Sequence, residues 1–162
     1  MRQALLAGAI VALAACGAQA AEPSLVGAWR LKSFVRVLSD GKRYDQLGAH
    51  PQGYLIYSAD GRMSVLMVDG ERAAPQRSPP TDAERAALHG SMIAYAGAYR
   101  IEGDKIIHHI EIAWDQSRIG SEQVRFFAMD GDRLSLRTPV NRGPIDGKEG
   151  YGLLVFERAA AH

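Results

Sequence analysis

Short turns containing glycine separate alternating apolar and polar segments in this chain, and they restrict the fold more than any other feature. Ala59-Asp60-Gly61, Gly103-Asp104 and Gly131-Asp132 each lie between two such segments. Alternation with a period of two is typical of a half-buried β-strand, and turns this short join antiparallel strands. The sequence therefore predicts a β-hairpin at each of the three positions.

The predicted strands number eight and follow one another without long crossing connections. They occupy residues 25–37, two halves of 53–68, 94–101, 104–114, 122–129, 133–138 and 150–158. Strands linked in this way favour an up-and-down barrel, because a sandwich needs longer connections between its sheets. The expected fold is all-β, an eight-stranded up-and-down antiparallel barrel. A chain of 162 residues is too short for two well-packed domains, so one is expected.

One short helix is predicted between the third and fourth strands. Residues 69–80 form a loop rich in proline and charge, and Thr81-Asp82-Ala83-Glu84 then matches a capping box. Alanines follow on one side of the predicted helix, and Gly90 weakens its C-terminal end. We therefore expect a helix that begins at Asp82 and no other helix in the mature protein.

Residues 1–20 have the pattern of a secretory signal peptide, with a basic residue before an apolar run at 4–15. Leu13-Ala14-Ala15-Cys16 resembles the lipobox of bacterial lipoproteins, in which the cysteine carries the lipid. Ala18-Gln19-Ala20 instead fits ordinary signal cleavage. Both alternatives predict export across the inner membrane of a bacterium. The protein is then either lipid-anchored in the envelope through Cys16 or soluble in the periplasm.

The triplet Gly27-Ala28-Trp29 opens the first strand, and Arg158 ends the last one. This G-x-W triplet resembles the signature of lipocalins and related calycin barrels. In those barrels the tryptophan closes one end, and an arginine from the last strand packs over it. The resemblance implies structural roles for Gly27, Trp29 and Arg158, with a cation–π contact between the last two.

Four longer segments resemble, in order, the lipocalin-like domain family of bacteria and fungi. They are LVGAWRLKSF, PQGYLIYSADGRMSV, IAYAGAYRIEGDKIIHHIEI and GSEQVRFFAMDGDRLSLRTP. The resemblance runs from Leu25 to Glu157 and implies one lipocalin-like barrel domain over residues 24–158. It does not imply one function, since some related barrels act as cyclases or isomerases and others bind small hydrophobic molecules.

His108 and His109 are adjacent, and adjacent side chains on a strand point to opposite faces of the sheet. A two-residue turn at Gly103-Asp104 places Tyr99 opposite His108. His108 then lies on the apolar face of its strand, which also carries Ile106, Ile110, Ile112 and Trp114. His108 is therefore predicted to face the barrel interior and His109 the outside.

The same argument assigns other inward side chains. A two-residue turn at Gly131-Asp132 points Arg125 inward, whereas a three-residue turn there would send Val124 and Phe126 inward instead. In the first strand, alternation predicts one shared face for Trp29, Leu31, Ser33, Val35 and Val37.

Six polar and aromatic side chains form the predicted ligand-binding lining: Tyr57, Tyr95, Tyr99, His108, Trp114 and Arg125. An apolar cavity with a few convergent polar groups is typical of a small-molecule site. Each residue also has a structural interpretation. A Tyr–His pair can be a buried structural hydrogen bond, and tyrosines often lie at the rim of a barrel. Arg125 can pair with a buried carboxylate or cap the barrel mouth.

Other features of the sequence exclude several classes of function. The net charge is +1 without a run of like charges, which predicts no nucleic-acid partner and no membrane contact beyond a lipid on Cys16. No histidines have the i, i+4 spacing of helical metal ligands, and phosphate, dinucleotide and nucleophile-elbow motifs are absent. We therefore predict neither a metal nor a cofactor. With Cys16 as the only cysteine, the mature domain has no internal disulfide.

Three hypotheses for the function remain. The leading one is an envelope protein that binds a small hydrophobic molecule in the barrel lumen. The second is an isomerase or cyclase that uses His108 as an acid–base catalyst. The third is a structural or partner-binding protein whose barrel is filled by its own side chains. The ligand and the oligomeric state are left open by the sequence.

Overall fold

The computed structural model describes residues 24–143 and 147–160, and over these residues ten β-strands form one antiparallel sheet. The predicted signal peptide at 1–20 and the predicted lipidation site, Cys16, lie outside the described residues. The strands are β1 (Gly27–Leu38), β2 (Arg43–Asp45), β3 (Gln52–Tyr57), β4 (Arg62–Val68), β5 (Met92–Glu102), β6 (Lys105–Ala113), β7 (Glu122–Asp130), β8 (Arg133–Arg137), β9 (Asn141–Arg142) and β10 (Glu149–Arg158).

Eight of the strands form a closed barrel, which confirms the predicted fold. β1, β3, β4, β5, β6, β7, β8 and β10 are neighbours in this order, and β1 also pairs with β10 to close the sheet. β2 and β9 are short additional strands that were not predicted. β2 pairs with β1 beyond the point where β3 ends, and it covers backbone groups that would otherwise form an unpaired edge.

The three predicted hairpins are present with the expected register. Leu55 pairs with Val65 across the first, and Tyr99 pairs with His108 across the second. The third has a two-residue turn, because Asp130 pairs with Arg133. This register points Arg125 into the lumen and rules out the three-residue alternative.

A β-bulge at Lys32 reverses the inward face of β1. The pairing of β1 with β10 is regular on either side of Lys32, which is an extra residue in β1 with no opposite residue in β10. Beyond the bulge Phe34 and Arg36 line the lumen. The prediction that Ser33 and Val35 share the inward face is therefore wrong.

A second bulge has the same effect in β6. Ile110 and Ile112 pair with the adjacent residues Gly97 and Ala96, so Glu111 is extra. The predicted inward position of Ile112 is wrong, since its side chain is 69% exposed. A glycine is required opposite the bulge, because a Cβ on Gly97 would lie 1.9 Å from a carbonyl oxygen of β6.

The helix α1 spans Asp82–Gly90 and begins where predicted. Thr81 Oγ1 accepts a hydrogen bond from the Glu84 backbone N–H at 3.2 Å, and the Thr81 backbone N–H donates to Glu84 Oε2 at 2.7 Å. A 3₁₀ helix at Gln116–Arg118 was not predicted. No helix among the described residues is long and apolar enough to span a membrane.

Trp29 and Arg158 seal one end of the barrel, here called the closed end, as the resemblance implied. Trp29 is fully buried, and the Arg158 guanidinium carbon lies 4.2 Å from the ring centroid. Arg158 also donates hydrogen bonds to the backbone oxygens of Ser24 and Val26, at 2.6 and 3.2 Å. Gly27 has φ +136°, and a Cβ there would lie 2.9 Å from Arg158 Nη1, which explains the glycine.

We expect Arg158→Met to lower the free energy of unfolding by about 2–3 kcal/mol, because it removes a cation–π contact, two hydrogen bonds to backbone oxygens and the ion pair with Asp132 at 3.0 Å. The control is Arg30→Met, since Arg30 is exposed and lies 5.8 Å from the Tyr54 ring centroid on the outside. This change should cost at most about 1 kcal/mol. Urea denaturation measures both values, and equal losses would show that the closed end does not depend on Arg158.

Candidate functional site

A cavity of about 610 Å³ occupies the lumen on the side away from Trp29. This volume lies within the range of about 300–1,000 Å³ that is usual for small-molecule sites. Much of its wall is apolar and includes Phe34, Leu47, Val65, Met67, Ile93 and Leu154. The barrel is therefore hollow, and the filled-barrel hypothesis does not describe this structure.

The cavity is bordered by α1 and the 3₁₀ helix at the end opposite Trp29, here called the open end. His89 and Gly90 from the end of α1 and Arg118 from the 3₁₀ helix lie at its rim. Both residues from α1 are exposed to solvent. His89 Nε2 donates to the backbone oxygen of Trp114 at 3.2 Å, which ties α1 to the end of β6.

His108 faces the lumen and His109 faces solvent, as predicted. The His108 side chain is 1% exposed and lines the cavity, whereas His109 is exposed. The two rings therefore cannot bind one metal ion together. Within residues 24–143 and 147–160, no three His, Cys, Asp or Glu side chains are close enough to hold a metal.

Both ring nitrogens of His108 are hydrogen-bonded to tyrosines. Tyr57 Oη lies 2.6 Å from Nε2, and Tyr95 Oη lies 3.2 Å from Nδ1. Tyr57 is almost completely buried and lies outside the cavity lining, whereas Tyr95 lines the cavity. The three side chains thus form a row that leads from the packed core to the cavity wall.

The direction of these two hydrogen bonds follows from the surroundings of Tyr57. Among the described residues Tyr57 Oη has no hydrogen-bond partner other than His108. If His108 donated to Tyr57, a buried phenol hydrogen would have no acceptor, at a cost of about 1–3 kcal/mol. Tyr57 therefore donates to Nε2. Neutral imidazole has one donor and one acceptor, so Nδ1–H donates to Tyr95, and the Tyr95 hydroxyl hydrogen is left free for the cavity.

Burial keeps His108 and Tyr57 uncharged. It lowers the pKa of His108 from 6.5 to about 3, with a further contribution from the positive charge of Arg125. Burial also raises the pKa of Tyr57 well above its ordinary value. A histidine that is neutral, with both nitrogens occupied, is poorly suited to exchange protons with a substrate.

Arg125 lines the cavity from β7 and has no carboxylate partner in the described part of the chain. Its Nη1 donates to the backbone oxygen of Val124 at 2.8 Å, and no ion pair involves it. Among the lining residues, Glu122 carries the one carboxylate. That carboxylate accepts hydrogen bonds from Arg100 on the outer surface at 2.6 and 3.2 Å. The alternative that Arg125 pairs with a buried carboxylate is therefore not realised.

Two further arginines, Arg36 and Arg118, line the cavity and were missed by the sequence reasoning. Arg36 donates to Asn141 Oδ1 at 2.9 Å and to two backbone oxygens, while Arg118 lies 4.9 Å from the Trp114 ring centroid. Among the described residues the Arg36 Nε is buried without a hydrogen-bond partner, and the Arg118 Nε lies 3.5 Å from Asp115 Oδ2. No local pattern in the sequence predicts them, because a bulge turns Arg36 inward and Arg118 lies in a 3₁₀ helix that was not predicted.

The structure divides the six predicted site residues into two groups. Four line the cavity: Tyr95, His108, Trp114 and Arg125. Tyr57 and Tyr99 do not. The Tyr99 hydroxyl donates to the backbone oxygen of Ser58 at 3.0 Å, and its ring centroid lies 4.6 Å from that of Tyr57, on the side of the closed end. Tyr57 contacts His108 directly, and Tyr99 packs against Tyr57, so neither tyrosine meets the cavity.

The low pKa of His108 predicts a specific dependence of stability on pH. Below about pH 6.5 the unfolded chain protonates His108 while the folded protein keeps it neutral until about pH 3, so the unfolded state binds the extra proton. The free energy of unfolding should therefore fall on acidification, by up to about 1.4 kcal/mol per pH unit.

Urea denaturation at about pH 6 and about pH 5, above the main range of the carboxylates, measures this slope. His108→Gln should reduce the slope of the unfolding free energy with pH. The control is His50→Gln, a change at an exposed histidine, which should leave this slope unchanged. An identical slope in wild type and His108→Gln would show that His108 is not held neutral.

Comparison with known proteins agrees with the closed barrel and its Trp29–Arg158 seal. A sequence model described as a lipocalin-like domain matches residues 26–159. No curated protein sequence matches the chain at a significant level. The matched residues span β1 to β10, including every strand of the barrel. The chain therefore belongs to the lipocalin-like domain family.

Proposed function

We propose that this protein binds a small, largely apolar molecule inside the barrel. The cavity of about 610 Å³ carries this proposal, because a hollow lumen with an open end gives such a molecule both space and access. Burial of apolar ligand surface against the wall would supply most of the affinity, at about 25 cal/mol per Å² before the costs of binding.

The polar groups of the cavity support binding more than catalysis. His108 is neutral and hydrogen-bonded through both nitrogens, so it lacks a site from which to take a substrate proton. Tyr95, Trp114 and Arg125 instead offer a hydroxyl donor, an aromatic surface and a positive charge within one cavity. These groups fix the orientation of a ligand without requiring a reaction.

We also propose that the protein acts outside the cytoplasm, either in the periplasm or anchored in the bacterial envelope through Cys16. The apolar run at residues 4–15 and the small residues after it support this location. A transport or storage role for an apolar compound is consistent with an exported barrel.

The intact mass of the protein expressed in a bacterial host tests this location. We expect a chain that begins either at Cys16 with attached lipid or at Ala21 without lipid. If the chain begins at a lipidated Cys16, Cys16→Ser should release it from the membrane fraction. If the chain begins at Ala21, the same substitution should leave it unchanged. A cytoplasmic chain that retains residues 1–20 would contradict the proposal.

Nile red, a neutral apolar dye, tests binding in the lumen. The native protein should raise its fluorescence with saturable binding to one site. Ile93→Trp adds bulk to the cavity wall and should weaken binding by about tenfold or more, because a close-packed wall cannot absorb the larger ring.

The matched control is Ile56→Trp, in which the same substitution is made on the exposed outer face. This variant should bind the dye like the native protein, and circular dichroism verifies that both variants fold. Equal binding by both variants, or an equal loss in both, would place the dye outside the lumen and contradict the proposal.

A further inference from the structure

We propose that the ligand is an amphiphilic acid whose carboxylate lies deep in the lumen against Arg125 and Tyr95, with its apolar body extending towards the open end. This inference rests on the proposed function and names the chemical class of the ligand. Three features of the cavity carry it: the uncompensated charge of Arg125, a hydroxyl hydrogen without an acceptor, and the overall charge of the lining, to which Arg36 and Arg118 also contribute.

The uncompensated charge is that of Arg125. Arg125 is half-buried, and a guanidinium that gives up part of its hydration without gaining a carboxylate partner carries a cost. The one lining carboxylate in the described part of the chain, that of Glu122, is already held by two hydrogen bonds from Arg100. A carboxylate on the ligand would supply the missing counter-ion, and its two oxygens match the planar fork of arginine.

The free hydroxyl hydrogen is that of Tyr95. Tyr57 donates to His108, and His108 donates to Tyr95, so the Tyr95 oxygen already accepts one hydrogen bond. Its own hydrogen has no acceptor among the described residues. The row of three side chains therefore presents a donor to the cavity beside the positive charge of Arg125, and a ligand that meets both must be an acceptor.

The lining as a whole carries an excess of positive charge. Among the described residues it contains three arginines, Arg36, Arg118 and Arg125, and one carboxylate, Glu122. Arg36 is bound only to amide and carbonyl oxygens, and Arg118 lies beside Asp115, 3.5 Å from its carboxylate. A concave site with low-dielectric walls focuses this potential, which would draw an anion into the open end and repel a cation.

Competition with Nile red tests this inference with three ligands that differ only in the head group: decanoate, decanol and decylammonium. On the native protein, decanoate should displace the dye at a concentration about tenfold or more below that of decanol. Decylammonium should be the weakest competitor. The ratio of decanoate to decanol, measured within each variant, isolates the head group from any change in the lumen.

Arg125→Met keeps the length of the side chain and removes its charge, so it should reduce this ratio to about twofold or less. Tyr95→Phe removes one donor and should reduce the ratio by a smaller factor. Arg30→Met, an exposed arginine on the outer face, is the control and should leave the ratio unchanged.

The outcomes separate the two proposals. If Nile red binds but decanoate is no better than decanol, the acid inference is overturned and lumenal binding stands. If the preference survives Arg125→Met but is lost in Arg36→Met, the assignment of the counter-ion to Arg125 is overturned. If the native protein binds neither Nile red nor any of the three ligands, the proposed function itself fails.

Discussion

The pairing of β1 with β10 closes the sheet, and the position of every side chain in the lumen depends on this closure. An open sheet would leave two edges with unpaired backbone groups, and it would have no inside. Trp29 and Arg158 face each other across this pairing, so the residues that complete the hydrogen bonding also seal one end. The packed closed end gives the barrel its stability, which leaves the open end free to hold a cavity.

The row formed by Tyr57, His108 and Tyr95 marks the boundary between the packed and hollow parts of the lumen. Tyr57 and His108 are each satisfied by the next member of the row, and in the described residues the Tyr95 hydroxyl hydrogen alone is left without an acceptor, at the cavity wall. The structural and functional interpretations of the Tyr–His pair are therefore not alternatives. The hydrogen bond that Tyr57 donates to His108 makes His108 a donor to Tyr95. The Tyr95 hydroxyl is therefore left to donate a hydrogen bond into the cavity that Arg125 also lines.

Local signals in the sequence were sufficient for the hairpins and for the orientation of His108, because a short glycine turn determines the register of the two strands it joins. They were insufficient beyond the bulges. Nothing in the alternating first strand marks Lys32 as an extra residue, so the alternation predicts an inward face that includes Ser33 and Val35 and misses Arg36. The bulge in β6 did have a signal in the sequence, in the neighbouring strand. Gly97 lies in the interior of β5, and a glycine in a strand interior is typical of a bulge. The contact between Tyr57 and His108 joins residues 51 positions apart and exists only in the closed barrel.

Native mass spectrometry of the protein, purified gently from the cells that make it, tests most directly the proposal that the lumen carries an acidic amphiphile. We expect an adduct that dissociates on activation and is detected as an anion, and we expect Ile93→Trp to be isolated without this adduct. Bare protein that also remains bare in excess decanoate would overturn the proposal. The cavity would then be an empty feature of the fold, and His108 would serve only to support the core.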